Sequence, residues 1–320
     1  MQEIITDKKT AEQRLDKFLM KYLNKAPKSF VYKMLRKKNI KLNGKKAEGS
    51  EILAEGDVIA LFLSDDTISN FREDINIKKP LNKPVIIYED ENIIIADKPA
   101  GLLVQGDKNE GCDNLNDMLL YYLQQNGELS DVFKPGVANR LDRNTGGLVL
   151  MGKNLPAAQA LAKALRENRI EKLYITAVKG QIGSAGEISG SHTKDKHNLV
   201  TISEKKTDLS SEVKTLYTPL FSDGKYTVLR VKLITGKSHQ IRACFGYIAH
   251  PLIGDPKYGD EAVNRLFRQK FGLTHQLLYA VSVKLTGEDG ILEYLNGRIF
   301  ECDPDKTSRN VLNAIKEGKL

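Results

Sequence analysis

The feature that most limits the possible folds of this 320-residue chain is a series of strand-like segments that begins near residue 85. The segments are short, rich in β-branched residues and separated by polar or glycine-containing stretches: VIIYED, NIIIADKP, GLVLMGK, LYITAVKG, YTVLRVKLITG and LLYAVSVKLTG. Helical patterns such as PAAQALAKALREN and SHQIRACFGYIA do not alternate with them regularly. A doubly wound fold requires that alternation, so the pattern predicts an α+β domain with a mixed sheet.

A smaller α+β domain is predicted before this region. Leu15, Phe18 and Tyr22 recur at helical spacing, a second helix is expected after Pro27, and an Asn-Gly turn at 43–44 separates two strand-like stretches. The polar stretch that follows lacks apolar periodicity. We therefore divide the chain into a small domain (1–65), a linker (66–84), a large domain (85–302) and a charged helical tail (303–320).

Positive charge is concentrated in the small domain. The whole chain has 49 Lys and Arg against 41 Asp and Glu, a formal charge of +8. Residues 21–46 contain ten basic side chains and no acidic one: Lys21, Lys25, Lys28, Lys33, Arg36, Lys37, Lys38, Lys41, Lys45 and Lys46. A solvated helix face usually mixes both signs, because opposite charges at helical spacing stabilise it. The single sign favours a surface that binds nucleic-acid phosphates.

Several other classes of protein are disfavoured. No apolar run approaches the roughly 18–20 residues that cross a bilayer, and the N-terminus lacks the apolar core of a secretory signal. The cysteines, Cys112, Cys244 and Cys302, are odd in number and far apart, which predicts reduced thiols in a cytoplasmic protein. The histidines show no metal-ligand spacing, so neither a membrane partner nor a metal is expected.

The segment GVANRLDRNTGGLVLMGKN contains the main candidate for chemistry. Asp142 lies between Arg140 and Arg143 in a predicted loop, and the flanking guanidiniums favour the ionised carboxylate, which is a usable nucleophile. Residue types alone leave an ordinary salt-bridged loop aspartate as the commoner interpretation.

A resemblance to a known family favours the chemical interpretation. RLDRNTGGLVL resembles the HRLDRxTSGLLL signature of the RluA/RluC/RluD-like RNA pseudouridine synthases. ADKPAGLLVQ, EKLYITAVKG, LITGKSHQIRACF and AHPLIGDPKYG resemble further motifs of that family, in the family's order. In the small domain, QRLDKFL, SFVYKMLRKKNIKLNGKKA and LAEGDVIALFL resemble the αL RNA-binding motif of a ribosomal protein and many RNA-modifying enzymes. The resemblance implies a pseudouridine synthase domain with a mixed, mainly antiparallel sheet.

The matching positions imply roles for individual residues. Asp142 occupies the position of the catalytic aspartate, Tyr174 that of the active-site tyrosine, and Arg242 that of the arginine paired with the aspartate. Arg140 matches the arginine that stands beside the flipped nucleotide. The sequence departs from the family pattern at Gln105, Asn139, Asn144, Gly146, Lys237 and Cys244. These departures concern the RNA target and the supporting contacts, and leave the reaction class unchanged.

Other residues keep two interpretations. Tyr174 is either a core aromatic of a strand or the ring that packs on the base, and motif position favours the second. Lys172 shares its strand face and either holds a phosphate or is simply exposed. For His239 we prefer a structural role in its turn, and we take Asp255 and Asp260 as turn-formers. The predicted RNA-binding residues are Arg140, Lys172, Arg36, Lys37, Lys38 and Lys45.

The sequence therefore predicts an enzyme that isomerises uridine to pseudouridine in structured RNA, with 23S-type large-subunit ribosomal RNA as the expected target. The reaction gains and loses no atoms, so no cofactor is expected. Two alternatives stay open: a non-catalytic RNA-binding or ribosome-assembly factor on the same fold, and a synthase directed at transfer RNA. The sequence leaves the oligomeric state open.

Overall fold

The computed structural model describes residues 1–7, 10–73, 77–106, 113–129, 132–195, 199–204 and 210–320. Cys112, one of the three cysteines considered above, lies outside these ranges. The described elements form two sheets, a small one near the N-terminus and a large one in the rest of the chain. None of the helices in the described ranges is long and apolar enough to cross a membrane.

The N-terminal unit packs two helices on an antiparallel sheet. Its strands are β1 (Gln2–Ile5), β2 (Ile40–Leu42), β3 (Lys45–Lys46) and β4 (Val58–Leu61), and its first helices are α1 (Leu15–Tyr22) and α2 (Lys28–Arg36). The strand order is β1-β4-β2-β3. Asn43 and Gly44 both have positive φ, 49° and 73°, where they join β2 to β3. That backbone matches the tight hairpin turn predicted from the Asn-Gly dipeptide.

A third helix lies in the stretch expected to be a linker. α3 (Asp65–Phe71) begins after Ser64, whose side chain accepts a hydrogen bond from the backbone N–H of Thr67. Ile68 is buried in the N-terminal core, and the ring of Phe71 lies 4.4 Å from that of Phe30. The sequence did not predict this helix, because only a few of its side chains are apolar and they form no clear helical pattern. The N-terminal unit therefore continues past residue 65.

The large unit is built on one mixed sheet. Its strands are β5 (Val85–Glu89), β6 (Ile93–Lys98), β7 (Gly136–Val137), β8 (Gly146–Gly152), β9 (Ile170–Lys179), β10 (Gly186–Lys194), β11 (Val200–Ser203), β12 (Ser211–Ser222), β13 (Tyr226–Leu233), β14 (Leu278–Leu285) and β15 (Ile299–Glu301). The main order is β11-β10-β12-β13-β9-β14-β8-β6-β5, with β15 beside β14 and β7 beside β8. β14 and β8 run parallel, and the other strand pairs described in this sheet are antiparallel, so the predicted α+β class with a mainly antiparallel sheet is confirmed.

Helices cover the large sheet and complete its core. They are α4 (Leu115–Gln125), α5 (Leu155–Arg166), α6 (Gln240–Tyr247), α7 (Glu261–Phe271), a 3₁₀ helix (Gly290–Leu295) and α8 (Lys306–Lys316). The predicted tail is part of this core rather than a marginal helix: Val311, Leu312 and Ile315 of α8 pack with Phe267 of α7 and with residues of β9 and β13. Its few apolar residues lie on one face, so a short amphipathic helix suffices.

Two glycines allow β8 and β14 to approach closely. At Gly147, φ is 112°, and an added Cβ would lie 2.3 Å from the carbonyl oxygen of Ala280. At Gly146, an added Cβ would lie 2.1 Å from the ring of Tyr279, its partner in the parallel register. The absence of side chains here permits the parallel pairing of β8 with β14, directly after the Asp142 loop.

Candidate active site

The loop that carries Asp142 connects β7 to β8. A turn closes it, because the backbone N–H of Thr145 donates to the carbonyl of Asp142 at 3.0 Å. The side chain of Asn139 anchors the loop to β8 by accepting from the N–H of Leu150 at 2.8 Å. Leu141 packs into the hydrophobic core on both sides of the loop. These contacts leave the Asp142 side chain 25% exposed, open to a substrate on one side.

Thr145 is tied to a distant part of the chain. Its hydroxyl accepts from Nε2 of Gln276 at 3.3 Å, a buried contact between residues 131 positions apart. Gln276 immediately precedes the segment that enters β14. The loop of Asp142 is therefore hydrogen-bonded to the segment that leads into β14, the strand that pairs with β8.

Arg242 approaches Asp142 from α6. Its Nη1 donates to Oδ2 of Asp142 at 3.0 Å, and its side chain is only 7% exposed. Burial opposes the charged form of Arg242, but hydrogen bonds and charges from Asp255 and Asp142 outweigh it, so the pKa of Arg242 is raised. The structure thus brings together the two residues that the motifs assigned to an ion pair.

Asp255 fixes the orientation of Arg242. Its carboxylate receives Nε of Arg242 at 2.7 Å and Nη2 at 2.9 Å, a two-pronged contact that suits the planar guanidinium. The same carboxylate accepts from the backbone N–H of Lys257 and of Tyr258, as a turn-forming aspartate does. Asp255 is fully buried, so its role extends beyond the turn expected from the sequence.

Tyr174 lies on β9, opposite Val231 of β13 and Ala280 of β14. The side chain is buried in the core beside α6, with its hydroxyl near the charge of Asp142. Burial and then that charge raise the pKa of Tyr174, so its phenol stays protonated at neutral pH. The structure confirms that Tyr174 is a core aromatic of the sheet, and its packing on the base remains a prediction.

Lys98 is a buried cation that sequence analysis missed. At the end of β6 its ammonium donates to the carbonyls of Pro99, Leu102 and Arg143 at 2.9, 2.7 and 2.9 Å. Burial lowers the pKa of Lys98 to about 7, although the charges of Asp142 and Asp97 oppose that shift. The three acceptors match the three ammonium hydrogens, and the bond to Arg143 joins the two loops. The signal was a lysine at the end of the otherwise apolar run IIIADK.

His239 is the residue before α6 and has a left-handed backbone, with φ of 54°. Its Nδ1 lies 3.0 Å from the hydroxyl of Tyr258, and its Nε2 lies 4.0 Å from Oδ2 of Asp142. Burial lowers the pKa of His239, Arg242 and Lys257 add to that effect, and the carboxylates of Asp142 and Asp255 oppose it. The imidazole is therefore neutral beside the carboxylate at neutral pH.

The predicted RNA-binding residues fall into two groups. Lys172 and Arg140 lie in the large unit: Lys172 is half-buried on β9 with a pKa lowered by burial, and Arg140 is exposed on the Asp142 loop. The other four lie on the N-terminal unit, exposed at the end of α2 and on or beside β3: Arg36, Lys37, Lys38 and Lys45.

Three departures from the family pattern have structural consequences. Gly146 leaves the space that the Tyr279 ring fills. The amide of Asn139 bonds the backbone of β8 on both sides, at Leu148 and Leu150. Cys244 is buried against the hydroxyl of Thr215, and burial raises the pKa of its thiol to about 11, which makes it an unreactive core residue. Nothing in the structure explains the departures at Gln105 and Asn144.

Comparisons with known proteins agree with this geometry. Residues 92–247 match the family described as RNA pseudouridylate synthase, and residues 13–59 match the S4 domain. The chain is 32% identical over 287 residues to an uncharacterized RNA pseudouridine synthase of Mycoplasma genitalium, covering 87% of each chain. The chain belongs to the RNA pseudouridine synthase family. It is therefore an RNA-modifying isomerase preceded by an S4 domain, which is an RNA-binding module.

Two further similarities extend the comparison. The chain is 30% identical to the ribosomal large subunit pseudouridine synthase C of Escherichia coli, over 86% of each chain. Its fold is similar to that of human RNA pseudouridylate synthase domain containing 4, with a TM-score of 0.58 at 20% identity, over 72% of this chain and 92% of the other. The resemblance inferred from the motifs is confirmed, and so is the class of enzyme.

Proposed function

We propose that this synthase uses Asp142 as its nucleophile. The observation that carries the proposal is the contact between Asp142 and a buried arginine, Arg242, whose Nε and Nη2 are both bonded to Asp255. An arginine bound in this way is fixed in orientation, so it holds the Asp142 carboxylate in one orientation. A preorganised and partly exposed carboxylate is equipped to attack a carbon or to stabilise a cationic sugar.

The proposed reaction rearranges uridine without net gain or loss of atoms, and three further residues are assigned roles in it. The bond from uracil N1 to ribose C1′ breaks, the base turns, and a bond from C5 to C1′ forms. The hydrogen on C5 is lost, and N1 gains one. Tyr174, protonated and buried beside Asp142, is suited to pack on the uracil and to restrict its movement. We assign Lys172 and Arg140 to the phosphates that flank the flipped nucleotide.

We propose 23S-type large-subunit ribosomal RNA in the cytoplasm as the target. The name of the Escherichia coli relative supports this assignment. The exposed basic residues of the S4 domain supply a second contact with phosphates, away from the reacting base, which helps to offset the few kcal/mol needed to flip a base out of structure. The residues assigned to this contact are Arg36, Lys37, Lys38 and Lys45.

The decisive test replaces Asp142 by asparagine. Asp142→Asn is nearly isosteric and keeps an acceptor for Arg242, so folding and RNA affinity should be retained. The amide is a far weaker nucleophile and has no negative charge, so release of tritium from C5 of labelled uridine should fall to background. Asp66→Asn, an exposed carboxylate on α3, is the matched control and should release tritium at the wild-type rate.

The same assay separates the competing functions. Wild-type protein that releases no tritium from any cellular RNA would favour a ribosome-assembly factor. Release by Asp142→Asn at the wild-type rate would show that another group is the nucleophile. Pseudouridine mapping of ribosomal and transfer RNA from cells with and without the protein identifies the target, and a change confined to transfer RNA would contradict the ribosomal assignment.

A further inference from the structure

We infer that Tyr258 and His239 position the nucleophile, so that Oδ2 of Asp142 is the held oxygen and Oδ1 is the attacking oxygen. The inference rests on the proposed role of Asp142 and assigns functions to two residues that the proposed reaction does not use. It begins with an asymmetry of the carboxylate: Arg242 donates to Oδ2 at 3.0 Å, and Nε2 of His239 approaches that same atom at 4.0 Å. No donor among the described residues is bonded to Oδ1.

The hydroxyl of Tyr258 determines which imidazole nitrogen carries the proton. This hydroxyl accepts from the backbone N–H of Val200 at 2.9 Å, at the start of β11. Its other neighbour is Nδ1 of His239 at 3.0 Å. If Nδ1 accepts the phenolic hydrogen, the Tyr258 hydroxyl makes two hydrogen bonds, accepting one from Val200 and donating one to His239. A protonated Nδ1 would leave the phenolic hydrogen without this acceptor. The proton of the neutral imidazole is therefore on Nε2, which faces Asp142.

The position of the ring is also fixed. His239 immediately precedes α6, three residues before Arg242, and its ring stands edge-on to the ring of Tyr258, with the centroids 5.7 Å apart. The guanidinium of Arg242 lies 5.2 Å from the same tyrosine ring. Tyr258 thus borders both side chains that face Oδ2. A separate anchor, from Nε2 of His192 to the carbonyl of Ser238 at 2.9 Å, holds the preceding residue against β10.

This arrangement directs the covalent step to the other oxygen. At ribose C1′, Oδ1 forms the C–O bond while the C1′–N1 bond breaks and its electron pair leaves on uracil N1. At uracil C6, Oδ1 forms the C–O bond while the ring electrons move to the carbonyl oxygen at C4. In both cases Oδ2 becomes the carbonyl oxygen of an ester or adduct, still facing Arg242 and the N–H of His239. A neutral imidazole beside Oδ2 adds no second positive charge to that of Arg242, so it orients the carboxylate without a further loss of nucleophilicity.

The charged and titratable groups that face His239 define its response to pH. They are Asp142 on its loop, Arg242 on α6, and Asp255, Lys257 and Tyr258 on the segment before α7. On acidification His239 becomes positive, pairs with Asp142 and reduces its reactivity. Turnover should therefore decline toward acid pH through the titration of this histidine, whereas RNA binding should not follow that decline.

Two substitutions at position 239 separate positioning from folding. Asparagine tolerates the left-handed backbone well but is too short to reach Asp142, whereas glutamine places an N–H near the position of Nε2. We expect His239→Asn to lower kcat on the order of 10-fold to 100-fold with little change in KM. His239→Gln should have a kcat closer to that of the wild type, and its turnover should not decline at acid pH. Tyr258→Phe, which keeps the ring, should lower kcat without changing the melting temperature greatly.

Failure of the positioning role can be distinguished from failure of the proposed function. If wild-type protein releases no tritium, or if Asp142→Asn releases it normally, the proposed function fails first. If the wild type is active and Asp142→Asn is not, equal kcat values for the asparagine and glutamine variants would overturn the positioning role. An acid decline that persists in His239→Gln would overturn the role of the neutral imidazole.

Discussion

Replacing Arg242 by methionine should reduce stability and turnover by two separable routes. The substitution keeps an unbranched apolar stem but leaves the fully buried carboxylate of Asp255 without its two guanidinium donors. Removing one partner of a buried ion pair costs about 3–5 kcal/mol of unfolding free energy. For a domain of this size that loss lowers the melting temperature by roughly 6–20 °C. Asp142 also loses its donor, so tritium release should fall sharply.

The second route is isolated by neutralising the buried charge. Asp255→Asn, added to Arg242→Met, keeps a carbonyl oxygen for the turn and removes the uncompensated carboxylate. Thermal unfolding followed by circular dichroism should therefore show the double variant to be more stable than Arg242→Met alone, while tritium release remains lost in both. If the double variant is no more stable than the single one, the reasoning about Asp255 is wrong. If Arg242→Met keeps wild-type turnover, the functional pairing with Asp142 is wrong.

Three further predictions test other parts of the structure. The lowered pKa of Lys98 means that the unfolded chain binds more protons than the folded chain above about pH 7, so the unfolding free energy should rise by a few kcal/mol toward pH 10; Lys98→Met should lack that rise in denaturant titrations, and parallel curves would contradict this. Gly146→Ala should cost about 1–3 kcal/mol in the same measurement, because its Cβ meets the Tyr279 ring; an equal cost in a Tyr279→Ala background would exclude that clash as the cause. The last prediction concerns four basic residues of the S4 domain, Arg36, Lys37, Lys38 and Lys45. Changing all four to glutamine should flatten the slope of log K against log salt by about 3, and an unchanged slope in filter-binding assays would contradict their contact with phosphates.

The sequence could predict those site residues that lie in motifs of the family and follow the family's order along the chain. Asp142 and Arg242 are 100 residues apart, and no periodicity links them, yet the motif order indicated that they pair. Local patterns were sufficient for the hairpin turn at 43–44 and for helix α6, because backbone preference and apolar spacing act within a few residues.

What the sequence could not provide depends on contacts between distant segments. Asp255 among glycine and proline indicates a turn, and only the fold shows that its carboxylate also faces Arg242. A lysine at the end of a strand, such as Lys98, is expected to be exposed. Its burial could not be predicted, because the three carbonyls that surround its ammonium come from two separate loops. Helices α3 and α8 were underestimated for the same reason: each has few apolar residues, and their burial depends on surfaces built elsewhere in the chain.

The parallel pairing of β8 with β14 has a consequence for how the enzyme is made. Most of the sheet consists of antiparallel neighbours, but β8 can pair with β14 only after β9 to β13 and the three helices α5, α6 and α7 have been synthesised. Thr145 likewise meets Gln276 across 131 positions. Contacts of such long separation form slowly, and a ribosome releases the C-terminal segment last. A nascent chain therefore exposes its S4 domain before it can order the Asp142 loop, so RNA binding should precede catalytic competence during synthesis.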